Sequence, residues 1–239
     1  MNELLPLLDL DTFVSTRRAL HCVAEHVVAK ARYVDDGEIR LTAFPGGFAT
    51  PPLHGGRRVR VDGHDTAIDD LDVSRRARLT TVREAADFVG VEPGFPTELY
   101  APATPFLPDE PLNVDTNSAN ALAAWYGFTA AVLDGFAKEI ADAKPSQLIL
   151  WPEHFDQAFY TEDEQESWRA NYGASPGDDS HREPYLYVGP WQTTVADPFW
   201  NASNFNGGVL PLSRLAASAN PAHIGLQFLR EGRAKLASR

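Results

Sequence analysis

Six prolines fall within residues 91–115, VEPGFPTELYAPATPFLPDEPLNVD, and no other feature restricts the possible folds as much. Each proline removes a backbone donor and turns the preceding residue away from helix. The stretch therefore reads as an extended connector between residues 1–90 and residues 116–239. A chain of 239 residues can form two small domains or one large compact domain, with a core that needs no metal or disulfide staple.

The flanking halves carry similar patterns. Before the connector, Leu20, Val23, Ala24, Val27, Val28 and Ala31 recur at helical spacing and predict an amphipathic helix over about residues 13–32. The segments EIRLTAF, RRVRVDG and DTAIDDL, separated by Pro45-Gly46-Gly47, Gly55-Gly56 and Asp62-Gly63, read as strands joined by turns. TTVREAADFVG closes this half as a helix stopped by Gly90. After the connector come a long helix at about 116–141, the strands SQLILWPEHFDQAFY and EPYLYVG, the segment GGVLPL, and a terminal helix from Pro221 capped by Asn220. Two halves that both run helix, antiparallel strands, helix imply an α+β fold with helices packed on one face of the sheets.

Charge and cysteine content narrow the partners. The excess of 33 acidic over 21 basic residues gives a net charge of −12, which repels nucleic acid and anionic lipid surfaces. Residues 116–133 are uncharged over about the length of a membrane span, but Asn117, Ser118, Asn120 and Thr129 interrupt them, so a buried helix is expected and no membrane association. With Cys22 as the single cysteine and an acidic N-terminus containing Pro6, the expected location is cytoplasmic.

The densest chemistry lies in WPEHFDQAFY and in NYGASPGDDSHREPYLYVGPW. Alternate residues of a strand share a face, so Phe155 and Phe159 mark a core side and leave His154 and Asp156 together on the other. In EPYLYVG the same parity separates Leu186 and Val188 from Glu183, Tyr185 and Tyr187, and Asp179 and His181 join the latter if the backbone is already extended there. Pairing of the two strands makes Asp156, Glu183, His154 and His181 the candidate catalytic set, because carboxylate and imidazole serve as general acid and base. Asp156 and Glu183 are expected to face one pocket. Tyr185, Tyr187, Trp151 and Trp191 are the candidate substrate-binding residues. His154, Asp156, Asp179 and His181 are the alternative as ligands of a divalent metal ion. Residues 161–182 read as one long connection whose TEDEQE end is expected to be mobile and whose NYGASPGDD end forms an ordered turn.

Other motifs carry less. His21 and Glu25 stand one helical turn apart, with His21 at the edge of the apolar arc as a core-edge histidine. Cys22 has no basic pair beside it to activate a thiolate. The chain contains no Gly-x-Ser-x-Gly elbow, and FNGGVL matches no phosphate loop.

The succession of an N-terminal helix, the hairpin segment GGFATPPL, the Pro-rich connector, a long helix, Phe-Asp-x-Ala at 155–158, Glu-Pro-Tyr-x-Tyr at 183–187 and Gly-Gly-x-Leu-Pro at 207–211 resembles a bacterial family of domains of unknown function. The resemblance spans nearly the whole chain and is strongest from Trp151 onward. Phe155, Asp156, Glu183, Pro184 and Tyr187 match that pattern, in which the position of His154 is often not histidine. This implies that Asp156 and Glu183 matter more than His154, and it implies no activity. The sequence thus leads to a small-molecule-binding enzyme that uses carboxylate and imidazole, or a divalent metal. The competing reading is a non-catalytic binding or interaction module with a solvated polar sheet face.

Overall fold

A computed structural model describes residues 9–161, 169–192 and 196–237. Both halves follow the order helix, five-stranded antiparallel sheet, helix, and the strands of each sheet pair in sequence order. The α+β architecture expected from the sequence is thus present, built as two meanders.

In the first half a helical stretch comprises α1 (Leu10–Val23), a π segment (Ala24–Ala29) and α2 (Lys30–Asp36). It extends beyond residues 13–32 at both ends. Asp9 caps the start by accepting from Asp11 N, and Gly37, at φ 78°, supplies the left-handed stop. The sheet follows as β1 (Thr42–Phe44), β2 (Gly47–Ala49), β3 (Arg58–Asp62), β4 (Asp65–Asp70) and β5 (Val73–Arg78), then α3 (Val82–Val89). Phe48, Val59, Val61, Thr66 and Ile68 share the buried face, by parity and register. Residues 91–115 contain neither helix nor strand, as their prolines dictate.

The second half contains α4 (Thr116–Glu139), β6 (Ile149–Trp151), β7 (Asp156–Tyr160), β8 (Ala170–Ser175), β9 (Tyr185–Pro190), β10 (Gly208–Pro211), the short α5 (Leu212–Ala216) and α6 (Pro221–Ala237). SQLILWPEHFDQAFY is therefore two strands, broken by a turn at residues 152–155 in which Phe155 takes φ 54°. The expected connection 161–182 contains β8, which pairs with both β7 and β9. Residues 162–166 of TEDEQE lie outside the described residues. Asn220 caps α6 as expected, accepting from His223 N at 3.2 Å.

The contacts divide the chain into two compact units. One holds the described residues through Gly127 together with Ile149–Phe155, and the other holds Phe128–Leu148 and the described residues from Asp156 onward. In the latter unit, Phe159, Tyr172 and Val188 lie side by side across β7, β8 and β9 and face the core. Phe136 of α4 packs edge-on against Tyr172 at 5.1 Å. On α6, Gly225 and Gly232 allow close approach to β9: a Cβ at those positions would lie 3.0 Å from Leu186 Cδ1 and 2.8 Å from Val188 Cγ2. Among the described residues, no helix is long and apolar enough to cross a membrane.

Candidate functional site

The face of β7, β8 and β9 opposite this core carries the polar side chains. Register sets Ala158, Gly173 and Tyr187 in one row across the three strands, with Ser175 opposite Tyr185 one step along. The parity read from the sequence for Asp156, Tyr185 and Tyr187 holds. Gly173 decides what the row does. A Cβ there would stand 2.5 Å from both Cζ and the hydroxyl oxygen of Tyr187, so the glycine lets that ring lie across β8. The Tyr187 hydroxyl thereby reaches Asp156 on β7 and donates a hydrogen bond to Oδ2.

A second pair extends the row. Tyr185 donates to Asp178 Oδ2 at 2.6 Å, while Asp178 Oδ1 accepts from Ser180 N and His181 N, each at 2.7 Å. These bonds fold residues 178–181 into a turn that brings the His181 ring to 5.1 Å from that of Tyr185. His181 Nδ1 is buried, has no hydrogen-bond partner among the described residues and lies 3.9 Å from Asp178 Oδ1. The Tyr185 and Tyr187 rings are 6.2 Å apart, and Phe205 stands edge-on to Tyr187 at 5.9 Å.

This face is only partly solvated, with Tyr187, Asp178 and His181 half-buried. Asp156, Ser175 and Tyr185 are only 5, 4 and 6% exposed. Burial raises the Tyr187 pKa well above its ordinary value, with the neighbouring Asp156 charge and the bond to it acting in the same direction. Burial likewise raises Tyr185, followed by its bond to Asp178. Both hydroxyls are therefore held neutral as donors, with lone pairs that can accept from a ligand.

The other sequence candidates are placed differently. His154 is exposed in the turn before β7 and shares no strand face with Asp156, because Phe155 leaves extended geometry. β9 begins at Tyr185, so Asp179, His181 and Glu183 precede the strand instead of lining it. The Glu183 carboxylate accepts from Ser213 N at 2.9 Å and Ser213 Oγ at 3.1 Å, at the start of α5. Glu183 is thus bound at the start of α5, and Asp156 by Tyr187. Trp151 lies on β6, in the other compact unit. Trp191 is exposed, donates to Asn171 Oδ1 at 2.9 Å and lies beneath the Arg169 guanidinium. Among the described residues, no three His, Cys, Asp or Glu side chains converge to hold a metal ion, so His154, Asp156, Asp179 and His181 are not gathered into one.

The other unit contains a polar cluster that sequence reasoning recognised only in part. Glu25 and His26 lie on the π segment, and both are buried. Glu25 accepts from Ala103 N and Thr104 N, each at 2.9 Å, and from the Thr104 hydroxyl. His26 Nδ1 accepts from Phe95 N at 3.1 Å, which leaves Nε2 as the protonated nitrogen facing Thr104 O at 3.3 Å. The cluster pins the proline-rich connector to the helix. His21 stacks on Phe155 at 5.0 Å and donates from Nε2 to Pro152 O at 2.7 Å. Burial lowers the pKa of both histidines, and it raises the Cys22 thiol to about 11. The sequence reading reaches this cluster through His21 and Glu25, one helical turn apart, and passes over His26 beside them.

Fold and site together describe an α+β protein with a partly buried carboxylate–tyrosine row on one sheet face. No family model matches the chain, and neither curated proteins nor solved structures match it.

Proposed function

We propose that the face of β7, β8 and β9 binds a small molecule and acts on it by acid–base chemistry. The observation that carries this reading is the crossing of Tyr187 over Gly173 to the buried Asp156. Packing alone favours phenylalanine at such a position, since burying a hydroxyl and a carboxylate costs free energy that an apolar pair avoids. In this reading Asp156 is the proton acceptor, and Tyr187 and Tyr185 orient the ligand through their hydroxyl groups. Asp178 positions Tyr185 and, through the turn at 178–181, sets the His181 ring beside it. Engagement of both carboxylates by tyrosine hydroxyls favours acid–base chemistry over metal binding. Glu183 is a positioning residue for α5.

A fragment screen on ¹⁵N-labelled protein tests the proposal. Hits are expected to shift the amides of Asp156, Tyr185 and Tyr187 and to lose affinity in Tyr187→Phe. Hits that avoid these amides, or that bind Tyr187→Phe and Asp156→Asn unchanged, would overturn it.

A further inference from the structure

β5 takes no part in the proposed site and ends the first sheet, pairing with β4 alone among the described strands. It is rich in arginine, with Arg75, Arg76 and Arg78 in a chain whose net charge is −12. We infer that its outer edge docks an extended acidic peptide, which adds to the sheet as a further strand.

The ladder fixes which groups are offered. Leu79 N donates to His64 O at 2.9 Å, continuing the β4–β5 register one residue past Arg78. Antiparallel parity then turns the main-chain groups of Val73, Arg75 and Ala77 toward β4 and those of Ser74, Arg76 and Arg78 away from it. Among the described residues, no hydrogen bond uses the outward N–H or C=O of Ser74, Arg76 or Arg78. The same outward side is already used by extended chain one step further on, where Leu112 N donates to Thr80 O at 2.7 Å. Beside that contact the connector's Asp109 pairs with Arg83. The protein thus joins extended, acidic chain to this edge where its own connector reaches, and the described residues leave the remainder of the edge open.

Charge specifies the occupant. Arg76 and Arg78 lie on one face of the sheet, and Arg75 lies on the other, over the Phe88 ring at 5.8 Å. Arg76 is held by Asp62 at 2.7 Å, whereas Arg75 and Arg78 form no ion pair among the described residues. An added strand would therefore meet arginine on both faces, which suits carboxylates at successive positions. The exposed Leu71 and Val73 at the hairpin end offer an apolar contact beside them. Strand addition of this kind draws affinity from main-chain bonds and selectivity from side chains.

The test uses the full ¹⁵N-labelled chain and a short capped peptide alternating Glu and Val, with a Lys and Val peptide as control. Saturable binding of the acidic peptide is expected to slow exchange of the Ser74, Arg76 and Arg78 amides and leave those of Val73, Arg75 and Ala77 unchanged. Arg75→Glu combined with Arg78→Glu is expected to weaken binding about tenfold or more. Arg78→Pro, which removes an outward N–H and keeps every bond to β4, is expected to weaken it as well. Absence of saturable shifts, equal binding of the lysine peptide, or binding indifferent to both variants would overturn the inference and leave the arginines as a guard against edge-to-edge association.

Discussion

Removing the Tyr187 hydroxyl takes a donor from a carboxylate that is 5% exposed. Tyr187→Phe is expected to lower unfolding free energy by about 1–3 kcal/mol in urea denaturation. Gly173→Ala acts on the same bond from the other side, since its methyl would occupy the position of the Tyr187 ring. It should destabilise by about 1–3 kcal/mol, and combined with Tyr187→Phe it should cost clearly less than the sum of the two. Additive costs in that double-mutant cycle would show that Gly173 does not serve Tyr187. Glu183→Gln belongs to different chemistry. Its effect should appear as faster amide exchange at Ser213 and its neighbours in α5, with the Tyr187 resonances unmoved.

The connector is held at the level of elements by one turn of helix. Glu25 accepts three hydrogen bonds from Ala103 and Thr104, so Glu25→Ala should cost about 3 kcal/mol or more and raise amide exchange across the connector. Loss of stability without faster exchange at Ala103 and Thr104 would contradict the clamp. Proline spacing and apolar periodicity made the connector, the helices and the face parity of Asp156, Tyr185 and Tyr187 legible in the sequence. The failures have local causes. Phe155 adopts a left-handed conformation costing about 1–2 kcal/mol, which no apolar pattern announces, and this breaks the strand parity that placed His154 beside Asp156. β8 reads Ala-Asn-Tyr-Gly-Ala-Ser, with no β-branched residue, because its glycine has to make room for an aromatic ring from β9. β5 is arginine-rich because it is an exposed edge, and its apolar pattern is correspondingly weak.

For the whole molecule, buried titratable groups set the pH range of stability. Tyr100, Tyr185 and Tyr187 all have pKa values raised chiefly by burial. Their neutral forms stabilise the fold fully below the ordinary tyrosine value of 10.0, and that contribution is lost as pH rises toward their folded values. His21 and His26 are lowered by burial, so their contribution is present above the ordinary histidine value of 6.5 and is lost as pH falls below it. Urea midpoints measured against pH should therefore decline on both sides of a plateau between those values; a flat profile across either limit would contradict the assignments. If the Asp156–Tyr187 row exists for a ligand, the double variant Asp156→Val/Tyr187→Phe, assayed for stability and for fragment binding in the same preparation, separates binding from folding. Replacing a buried polar pair by apolar side chains of similar bulk is often neutral or stabilising. The variant is expected to stay within about 1 kcal/mol of the natural protein in stability, with fragment-induced shifts on β7, β8 and β9 abolished; continued binding of the fragments, or loss of the fold together with the pair, would show that the row serves something other than a ligand.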